Sequence, residues 1–212
     1  MTHNVFLASK SPRRHALLTQ AGFTVTVIAS HNHTLKAFEG DEVQWPGESP
    51  EDYVERTAHH KFAEGLQQRQ NQYSSLDTIP IVAADTVVSL DGEVLGKPRD
   101  SQEAQLFLER LSARTHEVRT AVVVGLNLER ALCTTQTSLV TFKKLTEEEI
   151  QAYIQTQEPF DKAGGYGIQG YGGLFVSQLQ GSFTGVMGLP IFETASLLQQ
   201  FGCTPLMEPK TF

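Results

Sequence analysis

The sequence predicts an α/β fold in which a mixed sheet carries an antiparallel extension, and three features point to it. Ile81, Val82, Ala83, Ala84, Val87 and Val88 form a β-branched, small-residue run of the kind that makes a strand buried on both faces. Residues 115–128 and 132–142 read as two long strands around a turn at 127–130, an antiparallel ribbon. Segments of helical period lie between and after these strands, and that alternation is the mark of helices packed on a sheet.

Taken in order, residues 5–8 make a short first strand that turns into a helix through Ser9-Lys10-Ser11-Pro12-Arg13-Arg14. Ser11 is a good N-cap, and Pro12 stands at the first helical position, where its missing N–H costs nothing. Leu17, Leu18 and Ala21 give this helix an apolar face, and Gly22 ends it. Residues 24–29 alternate as a second strand, and residues 30–50, polar and without period, form a loop. Ser49-Pro50-Glu51-Asp52 then opens a helix with a cap, a proline and an acidic first turn. Tyr53, Val54, Thr57, Ala58, Lys61, Phe62 and Leu66 recur along it at helical spacing. A polar connector spans 67–76. No stretch has the composition of an interdomain linker and no repeat appears, so residues 1–212 read as one domain.

Asp85 breaks the apolar run of the central strand. Asp91-Gly92 favours a two-residue hairpin, because both central residues must take positive φ, and brings Lys97 and Arg99 back toward the level of the acid. Asp100 with Glu103 makes a capping box, followed by a stripe of Ala104, Phe107, Leu108 and Leu111. Thr146-Glu147-Glu148-Glu149 caps a helix that ends near Thr156. A last strand is expected at 174–179, a turn-rich loop at 181–190, and a closing helix at 191–201 stopped by Gly202.

Composition narrows the function classes. At 212 residues the chain is long enough for a substantial core, and 40% hydrophobic with 19% charged residues is ordinary for a globule. A net charge of −7 argues against a general nucleic-acid surface, which needs a basic face, though a local basic pocket is compatible with it. Cys133 and Cys203 are too few and too far apart for a disulfide framework or a zinc site, which suits a reducing compartment. No apolar run approaches a membrane span, and the start lacks the regions of a signal peptide, so a cytoplasmic protein with no membrane partner is expected.

Four places carry chemistry. A carboxylate inside a buried strand costs several kcal/mol of lost hydration unless a cation, a metal or hydrogen-bond donors offset it. Asp85 is therefore either an ion-paired acid at a sheet edge or a working group. In the first turn of the first helix, free N–H groups, the helix dipole, two serine hydroxyls and the guanidinium groups of Arg13 and Arg14 converge where an anion is stabilised. Lys61 falls on an otherwise apolar helix stripe; it either snorkels to water or points into the cleft of Asp85. The glycine-rich stretch 158–173 is neither a P-loop nor a dinucleotide fingerprint. Its glycines permit close backbone approach or a tortuous loop, and the presence of Asp161, Lys162 and Gln169 favours a base or ribose pocket. His31 and His33 form a further pair, either metal ligands or solvated side chains.

Leu7-Ala8-Ser9-Lys10-Ser11-Pro12-Arg13-Arg14, Ala84-Asp85-Thr86-Val87-Val88, Gly96-Lys97-Pro98, Thr115-His116-Glu117-Val118, Asp161-Lys162-Ala163-Gly164 and Tyr166-Gly167-Ile168-Gln169-Gly170 together closely resemble the Maf family of nucleoside triphosphate pyrophosphatases. The resemblance implies a long twisted mixed sheet with flanking helices and two lobes around a central cleft, related to the inosine-triphosphate pyrophosphatase type. It implies hydrolysis of a nucleoside triphosphate to the monophosphate and pyrophosphate with a divalent cation, Mg²⁺ or Mn²⁺, in a cytoplasmic homodimer. By position, Asp85 matches the family's catalytic acid and metal ligand, and Thr86, Arg13 and Gln169 match positions tied to substrate choice. Ser9, Arg14, Lys61 and Lys97 match the phosphate-handling set, which Ser11 extends; Asp161 and Lys162 belong to the pocket loop. Thr86 with the Asp-Lys-Ala-Gly and Ile-Gln-Gly sequences looks like the dTTP/UTP branch.

The chain also departs from the family pattern. Where the family places an acid that helps bind metal, this chain reads His31-Asn32-His33-Thr34 in a longer loop, and Glu39, Asp41 or Glu42 are the candidate replacements. Gly165 and Gly185 replace an expected alanine and asparagine and are read as adding flexibility near the base pocket. The competing class is a nucleotide-binding protein with little catalysis that acts in septum formation or cell-division arrest. RNA or DNA binding is disfavoured by charge and by the lack of aromatic-basic interleaving.

Overall fold

A computed structural model describes residues 3–28 and 44–205. In chain order the elements are β1 (Asn4–Leu7), α1 (Pro12–Gln20), β2 (Thr24–Val27), α2 (Pro50–Gln72), β3 (Ile81–Leu90), β4 (Glu93–Leu95), α3 (Ser101–Leu111), β5 (Thr115–Gly125), β6 (Ala131–Phe142) and α4 (Glu147–Gln155). Three 3₁₀ turns (Glu158–Asp161, Ala163–Gly165, Tyr171–Phe175) lead to β7 (Val176–Gln180), α5 (Phe183–Val186) and α6 (Ile191–Gln199).

The strands form one seven-stranded sheet in the order β2-β1-β3-β5-β6-β7, with β4 beside β3 off that path. β1 is parallel to β2 and β3, and the β3–β4, β3–β5, β5–β6 and β6–β7 pairs are antiparallel. The mixed α/β sheet with its antiparallel extension is thus as the sequence predicts. Local signals act as expected at most helix starts: the side chains of Ser11, Ser49 and Thr146 accept the N–H of the residue three positions on, and Thr146 with Glu149 completes a capping box. The Asp91-Gly92 hairpin has φ of 55° and 83°. At α3 the expected capping box is only half made. Asp100 accepts the Glu103 N–H, but the Glu103 carboxylate takes the Arg99 N–H and guanidinium instead of the Asp100 N–H.

Two features of β3 place the site. The strand runs unbroken through Asp85, which pairs with Ala121 in the β5 register, because a carboxylate that leaves the strand sideways leaves the backbone ladder intact. Alternation then sends successive side chains to opposite faces. Ile81, Ala83 and Val87 pack with Tyr53, Val54, Ala58 and Phe62 of α2, while Val82 and Ala84 pack with Leu17, Leu18 and Leu198 of α1 and α6. On that second face, Val88 and Leu90 belong to another cluster with α3 and α4, so the covering elements change between Ala84 and Val88.

The edge of β3 changes at the same level. β5 borders the strand from Ile81 to Ser89 on one side. On the other, β1 pairs with Ile81 and Val82 and β4 with Val88 to Leu90, and among the described residues no strand covers the edge between Ala83 and Val87. A cleft enters the sheet through this gap, and from it both Asp85 on one face and Thr86 on the other are within reach.

Candidate active site

Asp85 meets two residues of α2. Lys61 Nζ donates to Oδ1 at 2.5 Å, and Thr57 Oγ1 donates to Oδ2 at 2.6 Å. Residues 57 and 61 lie one helical turn apart on one face of α2, so a single helix delivers both donors. Val54 and Phe62 on the same helix are fully buried and contribute about 1.5–3 kcal/mol each, enough to carry Lys61 into the cleft against the cost of desolvating it. Burial by itself would raise the Asp85 carboxyl; the Lys61 and Arg14 charges and the two hydrogen bonds outweigh it and hold the group below the ordinary carboxylate range. Asp85 is therefore ionised at neutral pH.

The loop after β1 builds the second part. Ser9 Oγ accepts the Ser11 N–H and a guanidinium N–H of Arg14, both at 3.2 Å. Arg14 also donates through Nε to the Gly188 carbonyl at 2.7 Å and through Nη2 to Thr86 Oγ1 at 3.2 Å. Thr86 Oγ1 lies 2.9 Å from Thr120 Oγ1, which donates its one proton to the Gly185 carbonyl at 2.8 Å. Donor accounting then fixes the direction: Arg14 donates to Thr86, Thr86 to Thr120, and Thr120 to Gly185.

The opposite wall comes from the glycine-rich stretch. Asp161 accepts from Lys162 Nζ at 2.5 Å and faces Arg13 across the cleft at 3.4 Å. Ile168 and Gln169 sit on this wall, and Lys97 reaches the cleft from the segment after β4. His116 is buried in the same region, 2.7 Å from Tyr166 Oη, and burial lowers its pKa to about 4.

Of the residues singled out in the sequence, Ser9, Ser11, Arg13, Arg14, Lys61, Asp85, Thr86, Lys97, Asp161, Lys162 and Gln169 line this one cleft, whose volume is about 970 Å³. Arg99 also borders it, but its guanidinium is engaged by Glu103. Among the described residues seven cationic side chains and three carboxylates line the cleft, leaving four positive charges inside a chain whose net charge is −7. The matching ligand is a compact polyanion.

A model of the family described as Maf-like protein matches residues 4–201. The chain belongs to the Maf-like family. Among its relatives, the nucleoside triphosphate pyrophosphatase of Haemophilus ducreyi is 49% identical over 202 residues, 94% of this chain and 96% of that one. The dTTP/UTP pyrophosphatases of Dechloromonas aromatica (44%; 95% and 99% of the two chains) and Bordetella avium (47%; 93% and 95%) are similar over nearly their whole length. Among solved structures, a nucleoside-triphosphatase / dITP/XTP pyrophosphatase from Mycobacterium abscessus covers 97% of this chain and 98% of its own, at 14% identity and a TM-score of 0.43. A likeness that loose carries no weight for function.

In this Maf-like chain the metal question turns on oxygen donors. Asp85 has about four lone-pair positions, two of them taken by Lys61 and Thr57, so the carboxylate retains capacity for a hard cation. Among the described residues no group of three potential metal ligands forms. His31, His33, Glu39, Asp41 and Glu42 lie outside the described residues. The reading of Gly185 is corrected: a Cβ there would stand 2.5 Å from Gln136 Oε1, so the position faces β6, and its contribution is the carbonyl that receives Thr120. The sequence reading missed functional partners as well. Thr57 passed for part of an apolar stripe, and Thr120, Glu158 and Tyr153 acquire a role only through the register and turns that bring them beside the cleft residues.

Proposed function

We propose that this protein is a nucleoside triphosphate pyrophosphatase that hydrolyses dTTP and UTP to the monophosphate and pyrophosphate, with a divalent cation, Mg²⁺ or Mn²⁺. The observation that carries the reading is the cleft itself: four net positive charges around an ionised acid that one helix holds with Lys61 and Thr57. A triphosphate brings about four negative charges at neutral pH, and a cleft of about 970 Å³ is ample for a nucleotide. The Haemophilus nucleoside triphosphate pyrophosphatase supports the activity, and the Dechloromonas and Bordetella dTTP/UTP pyrophosphatases support the pyrimidine preference as well.

In the mechanism, water attacks the α-phosphorus, the bond to the α–β bridging oxygen breaks, and pyrophosphate leaves. Arg14, fixed by Gly188, Ser9 and Thr86, presents its guanidinium to the phosphates without having to be ordered at the moment of reaction. Lys61 and Lys97 add charge to the same cleft. A carboxylate whose pKa is held down is a weak base when the cleft is empty. A bound triphosphate offsets the neighbouring cations and restores its basicity, so Asp85 orients the attacking water and accepts its proton in the loaded enzyme. Asp85 would also hold the divalent ion, which neutralises phosphate charge and polarises the phosphoryl oxygens when bound. Ile168 and Gln169, on the far wall, face the base, where an amide offers a donor and an acceptor together.

Cys133 and Cys203 are unpaired, which supports a reducing, cytoplasmic setting, and among the described residues no helix is long and apolar enough to cross a membrane. A homodimer completes the proposal on the family resemblance alone, to be tested by sedimentation. The reaction itself is tested in H₂¹⁸O with dTTP and UTP. Label in the monophosphate supports attack at the α-phosphorus; label in pyrophosphate, or release of a diphosphate, contradicts it.

A further inference from the structure

We infer that Glu158 is a positioning residue that sets the nucleobase preference of the cleft by fixing the 166–172 loop from behind, an inference that rests on reading the cleft as a nucleotide site. Glu158 opens the 3₁₀ turn that ends at Asp161, yet it does not line the cleft. Its carboxylate points the other way. Oε1 accepts from Tyr153 Oη at 2.9 Å and from the Gly172 N–H at 3.1 Å, and Oε2 accepts from the Tyr171 N–H at 3.0 Å. Tyr153 Oη in turn accepts the Gly167 N–H at 3.2 Å. One carboxylate and one phenol thus tie down both ends of the loop, and the residues suspended between the ties are Ile168 and Gln169.

The glycines of this stretch are explained by the same contacts. A Cβ at Gly170 would come within 2.3 Å of Glu158 Oε2, and one at Gly172 within 2.9 Å of Tyr153 Oη. At Gly170 and Gly172 the loop passes the anchoring side chains too closely for a side chain of its own. Lys162 closes the arrangement by donating to the Glu158 carbonyl at 2.8 Å while it holds Asp161, which joins the anchor to the wall facing Arg13. Hydrogen bonds that end on an ionised acceptor are roughly twice as strong as neutral ones and geometrically stricter. Displacing this acceptor moves Gln169 relative to the base and leaves the phosphate side, more than a loop away, as it was.

The test is equilibrium binding of three probes: the non-hydrolysable α,β-methylene analogues of dTTP and dGTP, and inorganic tripolyphosphate as a ligand without a base. The proteins are wild type, Glu158→Gln, Tyr153→Phe and the double variant, each checked for folding by circular dichroism. Glu158→Gln keeps the size but exchanges one acceptor oxygen for a donor that meets an N–H or O–H; Tyr153→Phe releases the Gly167 N–H and withdraws the phenol donor from Glu158 Oε1 while the carboxylate keeps its bonds to the Tyr171 and Gly172 N–H groups. Each variant is expected to lose about tenfold of the dTTP-over-dGTP preference while tripolyphosphate affinity stays within twofold, and the double variant is expected to lose little more than either single one. The inference is overturned if both folded variants retain the wild-type preference, or if all three probes weaken alike, as a merely structural role would give. Should Glu158→Gln fail to fold, Tyr153→Phe decides alone. Wild type that binds neither nucleotide nor tripolyphosphate overturns the reading of the cleft together with this inference, and the two failures are thereby told apart.

Discussion

Lys61 and Asp85 meet at 2.5 Å where the edge of β3 lies open between β1 and β4, so a largely buried charge pair sits at the entrance through the sheet. The two side chains are only 17% and 14% exposed, placing the pair nearer the buried than the surface case. Lys61→Met removes the largest attraction that holds the Asp85 carboxyl down, while its burial, which raises it, remains. The acidic limb of the kcat profile is therefore expected to move to higher pH, and unfolding at pH 7 to become easier by on the order of 3 kcal/mol. A pH–rate series and urea melts on the variant check both.

Thr57 supplies the other half of the clamp. Thr57→Val keeps the shape but removes the 2.6 Å hydrogen bond to Oδ2, a bond to a charged acceptor of about 1.5–3 kcal/mol. A fall in kcat of roughly tenfold or more is expected, with Thr57→Ser restoring most of it. Steady-state kinetics of the two variants decide the matter.

Thr120 lies fully buried on β5 and touches no substrate position, yet it terminates the chain of hydroxyls that steadies Arg14. Thr120→Val leaves the Gly185 carbonyl and the Thr86 hydroxyl short of a partner, a loss of about 1–3 kcal/mol in stability. KM for the nucleotide is expected to rise more than kcat falls, and Thr120→Ser to behave as wild type. Thermal melts and a KM-against-kcat comparison provide the check.

How much of this was legible in the sequence differs by residue. Ser11, Pro12, Arg13 and Arg14 announce a capped helix and an anion site in four letters, because caps and charges act locally. Asp85 was legible as an acid out of place, and Lys61 as a cation on the wrong stripe; the helical period was enough to aim one at the other. The strand through Asp85 was legible from its β-branched run, while its pairing with β5 was not, since a sequence shows the side chains and not the ladder that joins two strands. Thr57 looks the same whether it fills a core or donates to a carboxylate. Thr120 depends on the β3–β5 register, and the Gly185 and Gly188 contributions are backbone carbonyls, which no residue type encodes. Arg69, in a stretch read as a polar connector, is buried on α2 and donates to the Ile79 and Leu126 carbonyls, partners 10 and 57 residues away.

His116 gives a dependence of stability on pH. It is buried, its Nδ1 has no partner among the described residues, and its pKa is lowered from 6.5 to about 4 by burial. Between these values the unfolded chain binds a proton that the folded chain does not, so stability rises with pH across that window. The contribution is complete above about pH 6.5, is lost as pH falls toward 4, and amounts to about 3 kcal/mol. Urea denaturation from pH 4 to 7 is expected to show this slope, and His116→Phe to flatten it.

The most direct measurement is pyrophosphate release from dTTP, UTP, CTP and GTP in Mg²⁺ or Mn²⁺, with wild type beside Asp85→Asn. Wild type is expected to turn over dTTP and UTP preferentially, and the variant to lose at least a hundredfold, in line with removal of a group that positions and deprotonates the nucleophile. Equal turnover by the variant, or no preference for the two pyrimidine substrates in wild type, would contradict the assignment of the cleft and its acid.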